Sequence, residues 1–442
     1  MCVHMRRQRS QPLDCMPSAV SYGQALEEIC ELEKFGSKLG LERISRVLKL
    51  LGNPQKRYKC ILVGGSNGKG STTEMIGGIL QADGKRVGTY FSPQIEEFPE
   101  RFRINGRNAG RKEIADAYAA VKQVCSSYRI PATFFEVVTA IALLIFAKRK
   151  CDFAVLEVGL GGRLDATNAV EPEISAIASL SLEHTDVLGR TIAAIAHEKC
   201  GIAREGRKLV CGMMNADAKA AIWKECKAKG ATAVFVEEAV KLDAVDERGG
   251  SYSFKAEFGG SPYSVSLSAR GKFQVSNALV ALIVGRELGC RKKAIETGLG
   301  AAKPKYRMQT IGRAPLIIAD CCHNPEAAAA LSGEAKVIAV VGKRILLFSA
   351  MKDKDYGEVL RILAPCFDEV VLTQVSLKRS ATLSELQHAA RKAGAAASSI
   401  KNPKSALMAA KKRAGKSGLI ITAGSIYLLA ELFGSDKIRI AQ

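Results

Sequence analysis

No apolar run in this chain is long enough to cross a bilayer. The most apolar segment, Phe134 to Ala147, falls short of the roughly 20 residues a membrane helix needs and contains Glu136. No membrane partner is therefore expected. Met1 to Pro17 is basic and polar without an apolar h-region, so it reads as a disordered basic tail or a start placed too far upstream, not as a targeting signal. Zinc-finger spacing and the aromatic RNP-type signature are both missing, which leaves nucleic acid outside the expected partners. Cys321-Cys322-His323 lacks the separation that metal-binding cysteine pairs need and has no second ligand pair. The 13 cysteines show no regular spacing, which fits small core residues of a protein kept in a reducing cytosol, and a cytoplasmic location is expected. Internal repeats are also lacking, and no low-complexity tract exceeds the Ala-rich helices.

What is present is ample core and excess positive charge. At 442 residues and 47% hydrophobic composition the chain divides into two or three domains. The net charge of +21 is scattered, its densest run being Lys411-Lys412-Arg413. That distribution fits a solvated surface and capture of small polyanions better than a nucleic-acid track.

The most informative stretch is Cys60-Ile61-Leu62-Val63-Gly64-Gly65-Ser66-Asn67-Gly68-Lys69-Gly70-Ser71-Thr72. It reads as a buried strand, a glycine-rich turn and a helix start, continued by Met75, Ile76, Ile79 and Leu80 at helical spacing. Such a turn brings backbone N–H groups and a helix N-terminus to a polyphosphate, and Lys69 supplies the neutralising charge. Gly70 separates Lys69 from Ser71, so the strict eight-residue P-loop pattern is absent and the metal-binding hydroxyl is Ser71 or Thr72, with Ser71 preferred. Asn67, Gly68, Lys69, Gly70, Ser71 and Thr72 form the expected ATP-binding turn.

Around this turn the pattern alternates strands and helices, giving an α/β fold. Two helices are expected between Tyr22 and Leu51, a strand at Val87 to Phe91, a long functional loop at Ser92 to Gly110, and helices at Ile114 to Tyr128 and from Phe135. Phe153 to Leu156 is a strand that places Glu157 at its carboxyl end before Gly159-Leu160-Gly161-Gly162, where open parallel sheets bind ligands. Ile174 to Leu180 repeats the arrangement and ends near Glu183-His184. Val234 to Ala269 predicts a small antiparallel β element, Gln274 to Leu288 a helix, and Gly298 to Arg307 a linker. Strands at Leu316 to Ala319, Ile345 to Ser349, Glu369 to Thr373 and Gly418 to Thr422 then predict a Rossmann-like C-terminal domain. The expected division is a tail over 1–21, a P-loop parallel-sheet ATPase domain over 22–299 and a C-terminal α/β domain over 300–442.

In this order the motifs resemble the folylpolyglutamate synthase and dihydrofolate synthase family, a branch of the Mur ligases, from about Tyr22 to Leu429. The phosphate turn carries the resemblance together with Ser92-Pro93, Glu100-Arg101, Ile104-Asn105-Gly106 and Glu157 through Asn168. His184 with Leu188-Gly189, Glu198 through Ile202, Asp320 with His323-Asn324-Pro325, Asp353-Lys354-Asp355, and Gly424-Ser425 with Tyr427-Leu428 complete it. The resemblance implies an ATP-dependent ligase in which a substrate carboxylate attacks the γ-phosphate. The amine of L-glutamate then displaces phosphate from the acyl phosphate, giving an amide, ADP and phosphate. It implies Ser71, Ser92, Glu157 and His184 as ligands of Mg²⁺, with two ions expected, and a carbamylated Lys199 helping to hold the second. Asn277 corresponds to a position near the adenine, Arg307 to one near the ATP phosphates, and Asp320 and His323 to residues facing the cleft. Lys69, Lys199, Asp320 and His323 are thus the expected catalytic group, with Asp320 also in the ATP site. A strand-end turn or helix-cap role for Asp320 is nearly as well supported. The implied partners are ATP, L-glutamate and either dihydropteroate or folyl(poly)glutamate, and a monomer is expected.

Three departures bear on the acid rather than on the phosphates. Cys321 and Cys322 replace the usual Gly and Ala, Phe273 stands where relatives often carry His, and Gln94 replaces a common His. A divergent Mur-type amino-acid ligase acting on another carboxylate therefore stays open, as does a non-ligase P-loop protein binding polyanions.

Overall fold

The computed structural model describes residues 20–36, 38–248 and 250–434. Most of the predicted tail, residues 1–19, lies outside them. Ser21, assigned to the tail, instead caps the first helix Tyr22–Glu31, its side chain accepting from the Gln24 N–H in a capping box.

The strands are β1 (Lys59–Gly64), β2 (Val87–Tyr90), β3 (Phe102–Ile104), β4 (Arg107–Asn108), β5 (Phe153–Glu157), β6 (Pro172–Ile177), β7 (Lys208–Cys211) and β8 (Thr232–Phe235). They form one sheet in the order β4-β3-β2-β5-β1-β6-β7-β8. From β2 to β8 every pairing is parallel. The carboxyl ends of β1, β5 and β6 therefore emerge side by side, and the phosphate turn, Glu157 and the 178–184 loop share one edge of the sheet. Leu62, Leu156 and Ile177 pack on one face against the helix Phe134–Lys148, and Ile61, Val63 and Val155 on the other against Lys69–Ala82 and Phe273–Glu287. Burial on both faces explains why these strands read as continuous apolar runs.

Glu136, the single acid of the apolar helix, is satisfied rather than stranded. It accepts from the Thr133 N–H at 2.8 Å, from the Thr133 hydroxyl at 2.9 Å and from Arg43 Nε at 3.1 Å.

Strands β9 (Lys241–Arg248), β10 (Ser251–Phe258) and β11 (Ser261–Arg270) make the predicted antiparallel element. The third sheet runs β12-β13-β17-β14-β15-β16, from β12 (Gln309–Arg313), β13 (Leu316–Ala319), β14 (Arg344–Phe348), β15 (Glu369–Leu372), β16 (Ala397–Ser399) and β17 (Leu419–Ala423). It is parallel except for the β12–β13 edge.

Two expectations need correcting. The Ser92–Gly110 loop contains a 3-10 turn, Phe98–Arg101, and a hairpin, β3–β4. Asn105 and Gly106 close that hairpin with φ of 46° and 73°, the pair of positive values a two-residue turn requires. Gly298 to Ala301 belong to the helix Lys292–Ala301, not to a linker. A Cβ on Gly298 would lie 2.4 Å from Ile79 Cα, so this glycine is where two helices touch. Among the described residues no helix is long and apolar enough to cross a membrane. All described cysteines are free thiols, and all except Cys30 and Cys125 are buried.

Candidate active site

The turn after β1 is shaped by what lies over it. Gly65 has φ 138° and Gly68 φ 82°, and a Cβ on Gly68 would sit 2.3 Å from Asn277 Oδ1. A side chain is excluded there by both conformation and space. The Ser66 N–H donates to the Ser179 carbonyl at 2.9 Å and the Asn67 N–H to Ser179 Oγ at 2.9 Å, tying the turn to the loop after β6. Gly68 precedes the helix Lys69–Ala82 as its cap without a side-chain cap bond. Lys69 Nζ folds back to donate to the Gly65 and Ser66 carbonyls at 2.8 and 3.1 Å.

Ser71, Ser92, Glu157 and Arg307 line one polar cleft, together with Glu74, Glu100, Arg103 and Lys305. Ser71 Oγ is sealed from solvent and has no hydrogen-bond partner. Glu157, 6% exposed, accepts from the Ser92 N–H at 3.0 Å. Burial raises the Glu157 carboxyl above its ordinary value despite the opposing influence of Lys69, the Ser92 N–H, Arg307 and Arg101. An orphaned hydroxyl beside an under-compensated carboxylate forms a hard-oxygen donor set that fits Mg²⁺. Among the described residues no three His, Cys, Asp or Glu side chains converge on a point, so a cation here would take ligands from serine and substrate as well.

His184 does not line that cleft. It lies near Glu183, Lys69, Lys199 and Lys354. Burial, then Lys354, holds its imidazole below the ordinary value.

Lys199, with its side chain 2% exposed, donates to Glu183 at 2.6 Å and to the Gly65 carbonyl at 2.9 Å. Burial lowers the Lys199 ammonium to about 8, while Glu183 opposes the shift. Burial also pushes Glu183 up, but Lys69 and Lys199 outweigh it and hold that carboxyl at about 2. Glu183 was read from sequence only as a strand-end neighbour of His184. The rule that singled out Glu157 at the end of β5 applies equally to the loop after β6.

The second α/β unit closes over the turn. Asn324 caps the helix Pro325–Val337 and exchanges side-chain bonds with Asn67 at 3.0 and 3.3 Å. Glu326 accepts from Asn67 Nδ2 and, at 2.8 Å, from Ser181 Oγ. This role is not legible in the sequence, because an acid in the first turn of a helix is ordinarily explained by the helix dipole. Asn277 also lies against the turn, accepting from the Thr72 hydroxyl at 3.4 Å.

Asp320 Oδ2 accepts from the Met308 N–H and Oδ1 from the Cys322 N–H, both at 2.8 Å. It is a turn-holding carboxylate, not a helix cap, and burial raises it against the pull of Arg307. His323 Nδ1 lies 2.8 Å from the Cys321 carbonyl, so it carries the proton, and burial brings the imidazole down to about 4. Nε2 is then an acceptor at neutral pH.

Comparison with known proteins shows the same two-part organisation. Residues 63–285 match the Mur ligase middle domain and residues 306–426 the Mur ligase glutamate ligase domain. A Haloferax volcanii protein described as a probable bifunctional folylpolyglutamate synthase/dihydropteroate synthase is 33% identical over 437 residues, covering 93% of this chain and 50% of the relative. The chain thus spans about half the length of that archaeal relative. The Bacillus subtilis dihydrofolate synthase/folylpolyglutamate synthase is 30% identical over 420 residues, 90% of this chain and 95% of its own. Among solved structures, E. coli FolC in complex with DHPP and ADP superposes with a TM-score of 0.86 at 29% identity, covering 94% of this chain and 97% of that one. A bifunctional folylpolyglutamate synthase/dihydrofolate synthase with Mn, AMPPNP and L-glutamate bound gives 0.83 at 31% identity, covering 93% and 98%.

Proposed function

The chain belongs to the dihydrofolate synthase/folylpolyglutamate synthase family of Mur ligases, and from that premise we propose that it joins L-glutamate to a folate-type carboxylate at the expense of ATP. The observation that carries the proposal is the Lys69 turn, side-chain-free at Gly68 and bordered by the orphaned Ser71 hydroxyl and the buried Glu157. The acid's carboxylate oxygen bonds to the γ-phosphorus while the bond to the β-phosphate oxygen breaks and ADP leaves. Glutamate's amine then adds to the acyl carbon, and phosphate departs with formation of the amide. A divalent ion held by Ser71 and Glu157, with Ser92 beside them, supplies charge neutralisation on the transferring phosphoryl group when bound. Lys69, released from the Gly65 and Ser66 carbonyls, neutralises phosphate charge. Asn67, Gly68, Gly70 and Thr72 shape the turn, and Asn277 fixes it from above. Arg307 adds positive charge in the same cleft.

His184, Glu183 and Lys199 make a second group near Lys69, which supports a site for a second ion. At a value of about 8, Lys199 keeps about 10% of its amine neutral at pH 7. That is far more than an ordinary lysine keeps, and the neutral amine is the form that adds CO₂. Carbamylation would replace the ammonium facing Glu183 by an acceptor, leaving two anionic groups that would favour a cation. Neutral His323 presents Nε2 as a proton acceptor, and Asp320 holds the strand-end turn near Arg307. The acid is dihydropteroate or a folyl(poly)glutamate. The two α/β units divide between Ala301 and Gln309, the protein works as a monomer in the cytoplasm, and closure of the units excludes water from the acyl phosphate.

The test is ADP release with each pterin acid, with and without L-glutamate, followed by mass identification of the product. Turnover requiring acid and glutamate together supports the ligase. Release stimulated by nucleic acid alone would replace it with a polyanion-binding ATPase.

A further inference from the structure

The segment that carries Arg307 between the two α/β units is held in an unfavourable backbone conformation. Among the described residues seven other than glycine have positive φ, and of these only Tyr306 and Met308 are buried. They flank Arg307 directly, at φ of 50° and 52°. Bulky side chains rarely take left-handed backbone, and such strain persists only where the surrounding contacts over-determine it.

Those contacts come from both units. From the first, Lys305 donates to Glu96 at 2.8 Å and to Glu100 at 2.6 Å, and the Tyr306 hydroxyl donates to the other Glu96 oxygen at 2.8 Å. Glu100 also accepts from the Ile95 and Glu96 N–H groups at 3.1 and 3.0 Å, which fixes the loop bearing Glu96. From the second, Phe433 stacks on the Tyr306 ring with centroids 6.0 Å apart, and the Cys321 N–H donates to the Tyr306 carbonyl at 2.9 Å. Asp320 accepts from the Met308 N–H. Residues 305, 306 and 308 are thus pinned, and Arg307 between them lines the cleft with Ser71, Ser92 and Glu157. Stability does not account for this clasp. Lys305 and Glu96 are 36% and 28% exposed, and an ion pair that open contributes little. The loop that carries Glu96 also carries Ser92, whose N–H holds Glu157, so a single loop sets both the acidic edge of the cleft and the course of the arginine's backbone.

We infer that Glu96, acting through Lys305 and Tyr306, is a positioning residue for Arg307 and sets the angle at which its guanidinium meets the phosphates of ATP. This deepens the ligase proposed above and rests on it. An arginine binds phosphate through a planar fork, so what it contributes depends on its direction of approach as well as on its charge.

A double-mutant cycle separates positioning from plain structural support. Calorimetry measures binding of a non-hydrolysable ATP analogue with Mg²⁺, and ADP release with dihydropteroate and L-glutamate gives kcat. Arg307→Gln should weaken analogue binding roughly 10-fold and lower kcat roughly 100-fold. Glu96→Gln keeps an acceptor for the Tyr306 hydroxyl but loses the charge facing Lys305, and it should lower kcat roughly 10-fold with the KM for the acid nearly unchanged. Added to Arg307→Gln, it should lower neither quantity further. Tyr306→Phe, which loses one bond and keeps the ring, should show the same pattern with a smaller factor, and it decides the matter if Glu96→Gln does not fold. Effects that multiply in the double variant overturn the inference and leave the ligase standing, as does wild-type kcat in a folded Glu96→Gln, Tyr306→Phe or Arg307→Gln. A wild type that binds the analogue but releases no ADP in response to acid and glutamate overturns the ligase reading, and the role of Glu96 with it.

Discussion

Replacing Glu183 by Gln tests the electrostatics beneath the phosphate turn. The carboxylate lies 2.6 Å from Lys199 Nζ, with the two side chains 9% and 2% exposed. Without it the ammonium keeps only the Gly65 carbonyl, and an uncompensated buried charge of this kind costs roughly 3–5 kcal/mol. The direction agrees: Lys69 and then Lys199 outweigh burial and hold Glu183 down from 4.5 to about 2. The pH dependence has a definite sign. The folded-state value of Lys199, about 8, lies below its unfolded value of 10.5, so folding is penalised fully below pH 8 and the penalty disappears as pH rises toward 10.5. Loss of Glu183 lowers Lys199 further. Because a Lys199 with a value of about 8 can shed its proton instead, that cost is capped at pH 7, and Glu183→Gln should be roughly 1–2 kcal/mol less stable than wild type there, with the gap less than half that at pH 9. Urea unfolding of the first transition in bicarbonate-free buffer measures it, and Glu183→Gln/Lys199→Met should recover most of the loss. A gap below about 0.5 kcal/mol, or one independent of pH, would refute the argument.

Other expectations follow from the same geometry. Lys69→Ala and Glu157→Ala should each cut ADP release by roughly 10²–10³ or more while circular dichroism stays unchanged, and near-normal turnover in either removes that residue from the mechanism. Because burial already penalises the Glu157 charge, Glu157→Ala should leave the thermal midpoint unchanged or raise it. Gly68→Ala must place a Cβ 2.3 Å from Asn277 Oδ1 at φ 82°, so ATP affinity should fall and stability should drop by about 1–2 kcal/mol or more; calorimetry checks both. His323, with a folded value of about 4 against 6.5 in the unfolded chain, penalises folding progressively as pH falls from 6.5 to 4. His323→Asn should flatten the stability profile in that window, and an unchanged slope would count against a buried neutral imidazole.

Much of the fold was legible because parallel strands buried on both faces read as short apolar runs. That pattern located β1, β5, β6, β13, β14, β15 and β17, and with them the turn and Glu157. The Asn105-Gly106 hairpin was legible too, but the charge around it outweighed a two-residue turn signal. Gly298 misled because a glycine at a helix crossing and a glycine in a linker look alike until the partner helix is known. The roles of Glu183 and Glu326 lay beyond sequence reasoning for one shared reason. Their significance comes from groups distant in the chain: Lys199 for Glu183, and Asn67 with Ser181 for Glu326. His184 was grouped with Ser71, Ser92 and Glu157 by resemblance; those three line one cleft, and His184 is not among the residues that line it.

The most direct test is a crystal structure with Mg²⁺ and a non-hydrolysable ATP analogue. The account predicts the phosphates against the backbone amides from Gly68 to Ser71, Lys69 turned from the Gly65 carbonyl onto them, and a cation touching Ser71 Oγ and Glu157. A nucleotide bound elsewhere, with Lys69 still folded back on Gly65, would contradict it.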